Sequence, residues 1–131
     1  MSDARSTHGV FSWNELITTD PEAAKEFYTR LFGWTAEEWP MGEFKYLIVK
    51  SGGKEIGGIM PVPEQAKGMN PTWGAYVTVD DVDAIAAEAQ KLGGTLCVPP
   101  KDIPSVGRFT VIQDPQGAMI AAITYAPKPS A

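Results

Sequence analysis

A stretch of 22 residues occurs twice in this chain, and that duplication restricts the fold more than any other feature. The first copy runs from Trp13 to Trp34 and the second from Trp73 to Gly94. At an offset of 60, Trp13 answers Trp73, Thr18 answers Thr78, Asp20 answers Asp80, Ala24 answers Ala84 and Gly33 answers Gly93. The matches fall on strand, helix-start and helix-stop positions. A period of this size marks a repeated supersecondary unit, so the architecture is read as two copies of one plan.

The first copy begins as a strand from Val10 to Thr18. Alternation puts Phe11, Trp13, Glu15 and Ile17 on one face and Asn14, Leu16 and Thr18 on the other. Asp20 is placed to cap a helix, with Pro21 at the first helical position, where its missing N–H costs nothing. Glu22 favours the positive end of the helix dipole. Ala24, Phe27, Tyr28 and Leu31 recur at helical spacing and predict a buried face, and Gly33 ends the helix. A short strand over Thr35–Trp39 and a clearer one over Phe44–Lys50 follow. Ser51-Gly-Gly-Lys54 then turns the chain back into a strand over Glu55–Met60. Gly57 and Gly58 inside that strand predict a bulge or a close approach by another group.

Residues 61–71 are rich in proline and polar side chains and read as a connection. The second half repeats the plan. Thr72–Val79 is a strand, and Asp80 is placed as the cap of a helix that turns Val82, Ile85, Ala89 and Leu92 inward. Gly93-Gly94 stops the helix. A short strand over Thr95–Val98, a proline-rich loop over Pro99–Ser105 and a strand over Val106–Gln113 follow. Asp114-Pro-Gln-Gly117 turns the chain into a last strand over Ala118–Tyr125. The predicted fold class is α+β: two βαβββ modules, at about 9–62 and 72–126, in a single domain.

A chain of 131 residues is one domain's worth and long enough to bury a core. The formal net charge of -5 argues against a nucleic-acid partner, which requires a basic footprint. Cys97 is the sole cysteine, so no internal disulfide forms, which fits a cytoplasmic location. No apolar run is long enough to span a bilayer and no secretory h-region opens the chain. Both ends read as short loose arms. His8, the sole histidine, falls in the first arm and reads as a solvated residue. Cys97 reads as a buried, inert thiol.

Four segments resemble the vicinal oxygen chelate superfamily of glyoxalases, bleomycin-resistance proteins and dioxygenases. They are Phe27-Tyr-Thr-Arg-Leu-Phe-Gly-Trp34, Val77-Thr-Val-Asp-Asp-Val-Asp-Ala84, Leu92-Gly-Gly94 and Arg108-Phe-Thr-Val-Ile-Gln-Asp-Pro-Gln-Gly117. These are scaffold motifs and speak to the fold more than to the chemistry. The resemblance implies paired βαβββ modules whose curved mixed sheets form a cup around a small molecule, and it implies a homodimer. Metal-dependent members bind a divalent ion through His and Glu on the first and last strands of each module. Carried over, those positions fall on Trp13, Gly58 or its neighbour Gly57, Gly74 or its neighbour Trp73, and Ala121, none of which offers a ligand. The expectation is therefore a cup without the metal, and no other cofactor is implied.

Glu15 is the sharpest candidate, because it shares with Trp13 the strand face that the family turns toward the cup. An acid among aromatics is expected to have a raised pKa and suits a general base or a holder of a cationic group. The alternative is a structural ion pair with Arg108 or a lysine. Trp13 and Trp73 suit either core packing or the walls of an aromatic pocket. Tyr46, Met60 and Tyr76 are placed to line the cup or to fill the core, and Gly58 is expected among the lining residues. Arg108 either clamps a carboxylate or phosphate or lies at an exposed edge.

Three functions remain open on these grounds. One is sequestration of a small, largely apolar or aromatic compound. Another is metal-independent acid–base catalysis by Glu15 with Tyr46 or Arg108. The third is a metal-dependent lyase, isomerase or dioxygenase with an unusual ligand set.

Overall fold

A computed structural model describes residues 4–41, 44–103 and 106–126. It divides into two compact units, Trp13–Gly74 in one, and the residues before Trp13 with those from Ala75 onward in the other. Among the described residues there are eight strands and two α-helices. Each half has the order β-α-β-β-β, as the duplication predicts.

The first half comprises β1 (Phe11–Thr18), α1 (Pro21–Phe32), β2 (Thr35–Met41), β3 (Phe44–Ser51) and β4 (Lys54–Pro61). Its strands lie in the order β2-β3-β4-β1. β1 runs parallel to β4, while β3 is antiparallel to both β2 and β4. Parallel strands cannot be joined by a tight turn, and α1 is part of the crossover that makes the parallel pair possible. The helix starts where the sequence indicates: the Asp20 carboxylate accepts from the Ala23 N–H at 3.0 Å. It ends at Gly33, whose φ of 74° is left-handed and whose N–H reaches the Thr29 carbonyl. Gly52 and Gly53 close the β3–β4 hairpin with φ values of 57° and 81°, the backbone that a two-residue turn between twisted strands requires.

One face of this sheet forms the core with α1. Leu16, Leu47, Val49 and Ile59 are buried there, with Ala24, Tyr28, Trp34 and Ile56 packed against them. Each fully buried aliphatic chain of this kind contributes roughly 1.5–3 kcal/mol. Of the four residues expected on the buried helix face, Ala24 and Tyr28 are packed, whereas Phe27 and Leu31 remain 59% and 58% exposed. The apolar arc of α1 is wider than the surface its own sheet covers.

The second half comprises β5 (Thr72–Thr78), α2 (Val82–Lys91), β6 (Thr95–Ile103), β7 (Gly107–Gln113) and β8 (Met119–Tyr125), with strands in the order β5-β8-β7-β6. β5 is parallel to β8, and β7 is antiparallel to β8 and β6. Val79, Val82 and Ala122 form its core, with Val77 and Ile85 against them.

Four expectations are corrected in this half and its neighbouring segment. Asp81, not Asp80, caps α2, its carboxylate accepting from the Ala84 N–H at 3.2 Å. The helices are therefore related by an offset of 61, not 60. Leu92 lies past the helix end and is 71% exposed. The expected loop at Pro99 is strand: β6 runs on to Ile103 through Pro99 and Pro100, with register shifts at Leu96/Val98 and Val98/Lys101. An edge strand tolerates proline because one row of its N–H groups has no ladder partner. Cys97 on that edge is exposed.

The N-terminal arm is docked over its described residues. Gly9 N–H donates to the Thr78 carbonyl at 2.7 Å, and Thr78 N–H to the Val10 carbonyl at 2.9 Å. Thr78 Oγ1 donates to the Ala4 carbonyl at 2.6 Å. His8 Nδ1 accepts from the Asp80 N–H at 3.0 Å. The expected C-terminal arm, residues 127–131, lies outside the described residues.

Candidate functional site

Strand alternation sends Trp13, Glu15 and Ile17 of β1 to the face of the first sheet opposite α1. Register brings the partners: Glu15 lies beside Gly58, and Ile17 beside Met60. On the far side of Gly58 stands Ile48 of β3. Tyr46, two residues before Ile48, shares this face and is 7% exposed. Trp13, Glu15, Tyr46, Gly58 and Met60 thus meet on one surface, drawn from three strands.

The polar atoms form a chain. Tyr46 Oη donates to Glu15 Oε2 at 2.7 Å, and Trp13 Nε1 donates to Tyr46 Oη at 3.0 Å. A phenol that accepts from an indole and donates to a carboxylate fixes both neighbours and sets the direction of its own proton. Gly58 makes the arrangement possible. A β-carbon there would run into Oη, Cζ and Cε1 of Tyr46. Its neighbour Gly57 is constrained from the strand alongside, since a β-carbon there would meet the Asn14 carbonyl oxygen at 2.5 Å. Of the two readings of the glycine pair, close approach is the one observed; the irregularity in this ladder falls between Val49 and Lys50.

Three other candidates have surroundings of their own. Trp73 joins the α1 side, where its Nε1 donates to Tyr28 Oη at 3.1 Å and its ring stands edge-on to Tyr28 and Trp34. The offset explains this: at 61 the counterpart of Trp13 is Gly74, and a one-residue slip moves a side chain to the opposite face. Arg108 turns to α2. Its Nε and Nη2 hold both oxygens of Asp83 at 2.9 Å, and Nη1 holds Asp102 at 3.0 Å. Asp83 is held below its ordinary pKa by the hydrogen bond from Arg108, and the guanidinium is raised, first by Asp83 and then by Asp102. Arg108 thus ties α2 to β6 from β7, an interior strand paired on both sides and not the sheet edge that was the alternative to a ligand clamp. Tyr76 lies beside Ala121 on the face of its sheet opposite α2, with Phe109 at 6.4 Å between ring centroids.

Ile48 and Phe109 were missed by sequence reasoning. The signal for Ile48 was present, since it alternates with Tyr46 on β3.

The family's metal can be tested against donor chemistry. The inherited positions carry an indole at Trp13, no side chain at Gly58 and Gly74, and a methyl at Ala121. Among the described residues no three of His, Cys, Asp and Glu are grouped to hold an ion. These residues do not fit the family's divalent site, which needs converging imidazole or carboxylate groups.

Residues 10–122 match the model of the Glyoxalase/Bleomycin resistance protein/Dioxygenase superfamily. The chain is 41% identical over 121 residues to "Putative glyoxylase CFP32" of Mycobacterium bovis, covering 92% of this chain and 46% of that protein. It is 32% identical over 131 residues to "Anthracycline biosynthesis protein DnrV" of Streptomyces peucetius, covering 89% of this chain and 47% of that protein. The chain thus spans about half the length of the curated relatives it matches. Among solved structures, methylmalonyl-CoA epimerase from Mycobacterium tuberculosis superposes with a TM-score of 0.66 at 18% identity, covering 95% of this chain and 96% of that one. That likeness is one of fold.

Proposed function

The chain belongs to the Glyoxalase/Bleomycin resistance protein/Dioxygenase superfamily, and from that premise we propose that the Glu15 face binds a small organic molecule and exchanges a proton with it, without the family's metal. The observation that carries this reading is the chain Trp13–Tyr46–Glu15, with 3.0 and 2.7 Å links. A carboxylate held by a phenol on a half-buried aromatic surface has the composition of a general base with an orienting partner.

The substrate class that suits it is a carbonyl compound with an acidic neighbouring C–H. The carboxylate oxygen of Glu15 takes the proton, the C–H electron pair moves onto the carbonyl, and the proton returns from Glu15 to close the cycle. The Trp13 ring supplies a flat apolar wall for an unsaturated or aromatic portion of the ligand. The relatives' names, a glyoxylase and an anthracycline biosynthesis protein, are in keeping with small carbonyl and aromatic ligands. A cytoplasmic setting suits the single cysteine, and a homodimer is the assembly we assign.

The test is to titrate the protein with a panel of dicarbonyl compounds and hydroxylated planar aromatics while following tryptophan fluorescence. Any compound that binds is then incubated in deuterated water and examined for exchange at carbon. Glu15→Gln should still fold and should slow exchange by roughly 10²–10⁴-fold, the usual contribution of a general base. Binding without exchange in the wild type would make the protein a sequestering one. Binding and exchange both indifferent to Glu15→Gln would overturn the assignment of the face.

A further inference from the structure

The inherited ligand positions of the first half do more than lack donors: both are given over to Tyr46. At Trp13 the indole Nε1 donates to Tyr46 Oη at 3.0 Å. At Gly58 the missing β-carbon leaves the space that Oη, Cζ and Cε1 of the same ring fill. The neighbouring Gly57 is closed as well, by the Asn14 carbonyl oxygen at 2.5 Å from where a β-carbon would stand. Neither glycine can carry a ligating side chain while Tyr46 and β1 stand where they do.

The second half serves as an internal control. Val111 pairs with Ala121 as Ile48 pairs with Gly58, so Phe109, two residues before Val111, is the counterpart of Tyr46. Tyr76 beside Ala121 is likewise the counterpart of Glu15 beside Gly58. A plain phenyl ring serves the scaffold there. The hydroxyl at Tyr46 is therefore not a requirement of the βαβββ fold, and it occurs in the half that has a carboxylate for it to meet.

We infer that Tyr46 is a catalytic residue, whose O–H stabilises the negative charge that develops on the carbonyl oxygen of the ligand. This rests on the Glu15 face being the site, and it gives a phenol the electrophilic part that a metal ion plays when it polarises a carbonyl. Oη lies 2.7 Å from Glu15 Oε2, so a ligand whose C–H meets the carboxylate brings the adjacent oxygen within reach of the phenol. With Glu15 ionised, the phenol donates to the carboxylate. Transfer of the proton from carbon to Glu15 breaks the C–H bond. Its electron pair forms a C=C bond, and the carbonyl pair moves onto oxygen. Glu15, now neutral, donates to Oη, Trp13 continues to donate to Oη, and the phenol proton turns to the oxyanion. A phenol oxygen accepts two such bonds and donates one. Return of the proton from Glu15 to carbon closes the cycle, and no co-reactant is consumed. Tyr46 is 7% exposed and Trp13 and Glu15 are half-buried, a setting in which a fixed donor counts most toward an oxyanion. A single neutral donor is a weaker electrophile than a divalent ion. It suits an uncharged ketone or aldehyde, whose enolate carries one negative charge, and not a carboxylate, whose enolate carries two.

The experiment uses nitrophenols of graded acidity, which are ionised near neutral pH and carry their charge on an oxygen beside a planar ring. The methyl ethers of the same phenols, which cannot ionise, are the matched probes. Binding and ionisation are followed by the absorption of the probe, with far-UV circular dichroism on every variant. Glu15→Gln keeps a neutral group that can donate to Oη and so imitates the protonated base. It should bind the ionised phenols at least about tenfold more tightly than the wild type, the worth of one hydrogen bond to a charged group. Tyr46→Phe added to Glu15→Gln should abolish that gain, while the methyl ethers bind every variant alike. The absence of a gain in Glu15→Gln would overturn the proposal. So would a gain indifferent to Tyr46→Phe. Carbon exchange, measured separately, distinguishes the two readings: exchange that depends on Glu15, beside phenolate binding that ignores Tyr46, leaves Glu15 as the base and removes Tyr46 as the donor.

Discussion

The ring of Tyr46 occupies the space that a β-carbon on Gly58 would need. Gly58→Ala therefore forces the ring outward and breaks the hydrogen bond to Glu15. Overpacking of this kind costs about 1–3 kcal/mol. Gly74→Ala is the matched control, because nothing lies within 4 Å of a β-carbon there. Urea denaturation should show a clear loss for the first variant and little for the second. Ligand titration should show weakened binding for Gly58→Ala.

Removing one atom tests the proposed proton chemistry. Tyr46→Phe retains the ring over Gly58 but deletes the group that donates to Glu15 and accepts from Trp13. Stability should fall by about 1 kcal/mol, a typical net hydrogen bond. The pH–rate profile for carbon exchange should shift toward higher pH, because a carboxylate that loses a donor is less stabilised in its charged form. An unchanged profile would remove Tyr46 from the mechanism.

Adjacent aspartates make opposite predictions. Asp81→Ala deletes the α2 cap and should cost about 1 kcal/mol, as should Asp20→Ala at α1. Asp80→Ala removes an exposed carboxylate 3.7 Å from His8 and should cost far less. Thermal melts of the three variants decide between the two offsets of the repeat in solution.

Acid should weaken the second half through Asp83. Its carboxyl is held below the ordinary value by Arg108, so the pair contributes above the unfolded carboxyl pKa and is lost as pH falls through the folded one. Wild-type stability should decline below about pH 4 more steeply than that of Asp83→Asn. Both groups are exposed, so added salt should reduce the difference.

Metal analysis tests the donor argument. Protein purified without a polyhistidine tag should carry no stoichiometric Ni²⁺, Zn²⁺, Mn²⁺ or Fe²⁺ by elemental analysis. Its melting temperature should show no specific, chelator-reversible rise on adding these ions. A rise of several degrees would restore a metal-dependent lyase or dioxygenase to consideration.

Local chemistry was legible in the chain wherever one short segment settles it. Asp20-Pro21 and Gly33 bound α1 because capping needs only a carboxylate and a left-handed residue at the right spacing. Gly52-Gly53 sets the hairpin because two positive φ values are needed there. The shared face of Trp13 and Glu15 follows from alternation alone, and two copies of the plan imply the α+β architecture.

Tertiary structure decided the phase and the cover. Asp80 and Asp81 are equally good caps by residue type; the pairing of β5 with β8, Tyr76 beside Ala121, fixes where the chain leaves the sheet. That single residue of phase takes Trp73 away from Glu15, because side chains alternate faces. Arg108 is drawn to α2 by Asp83, 25 positions away in sequence. The extent to which α1 is buried depends on how much of its apolar arc one sheet can reach. Sequence periodicity reports which residues avoid water, and only the packed structure shows which of them have found a partner.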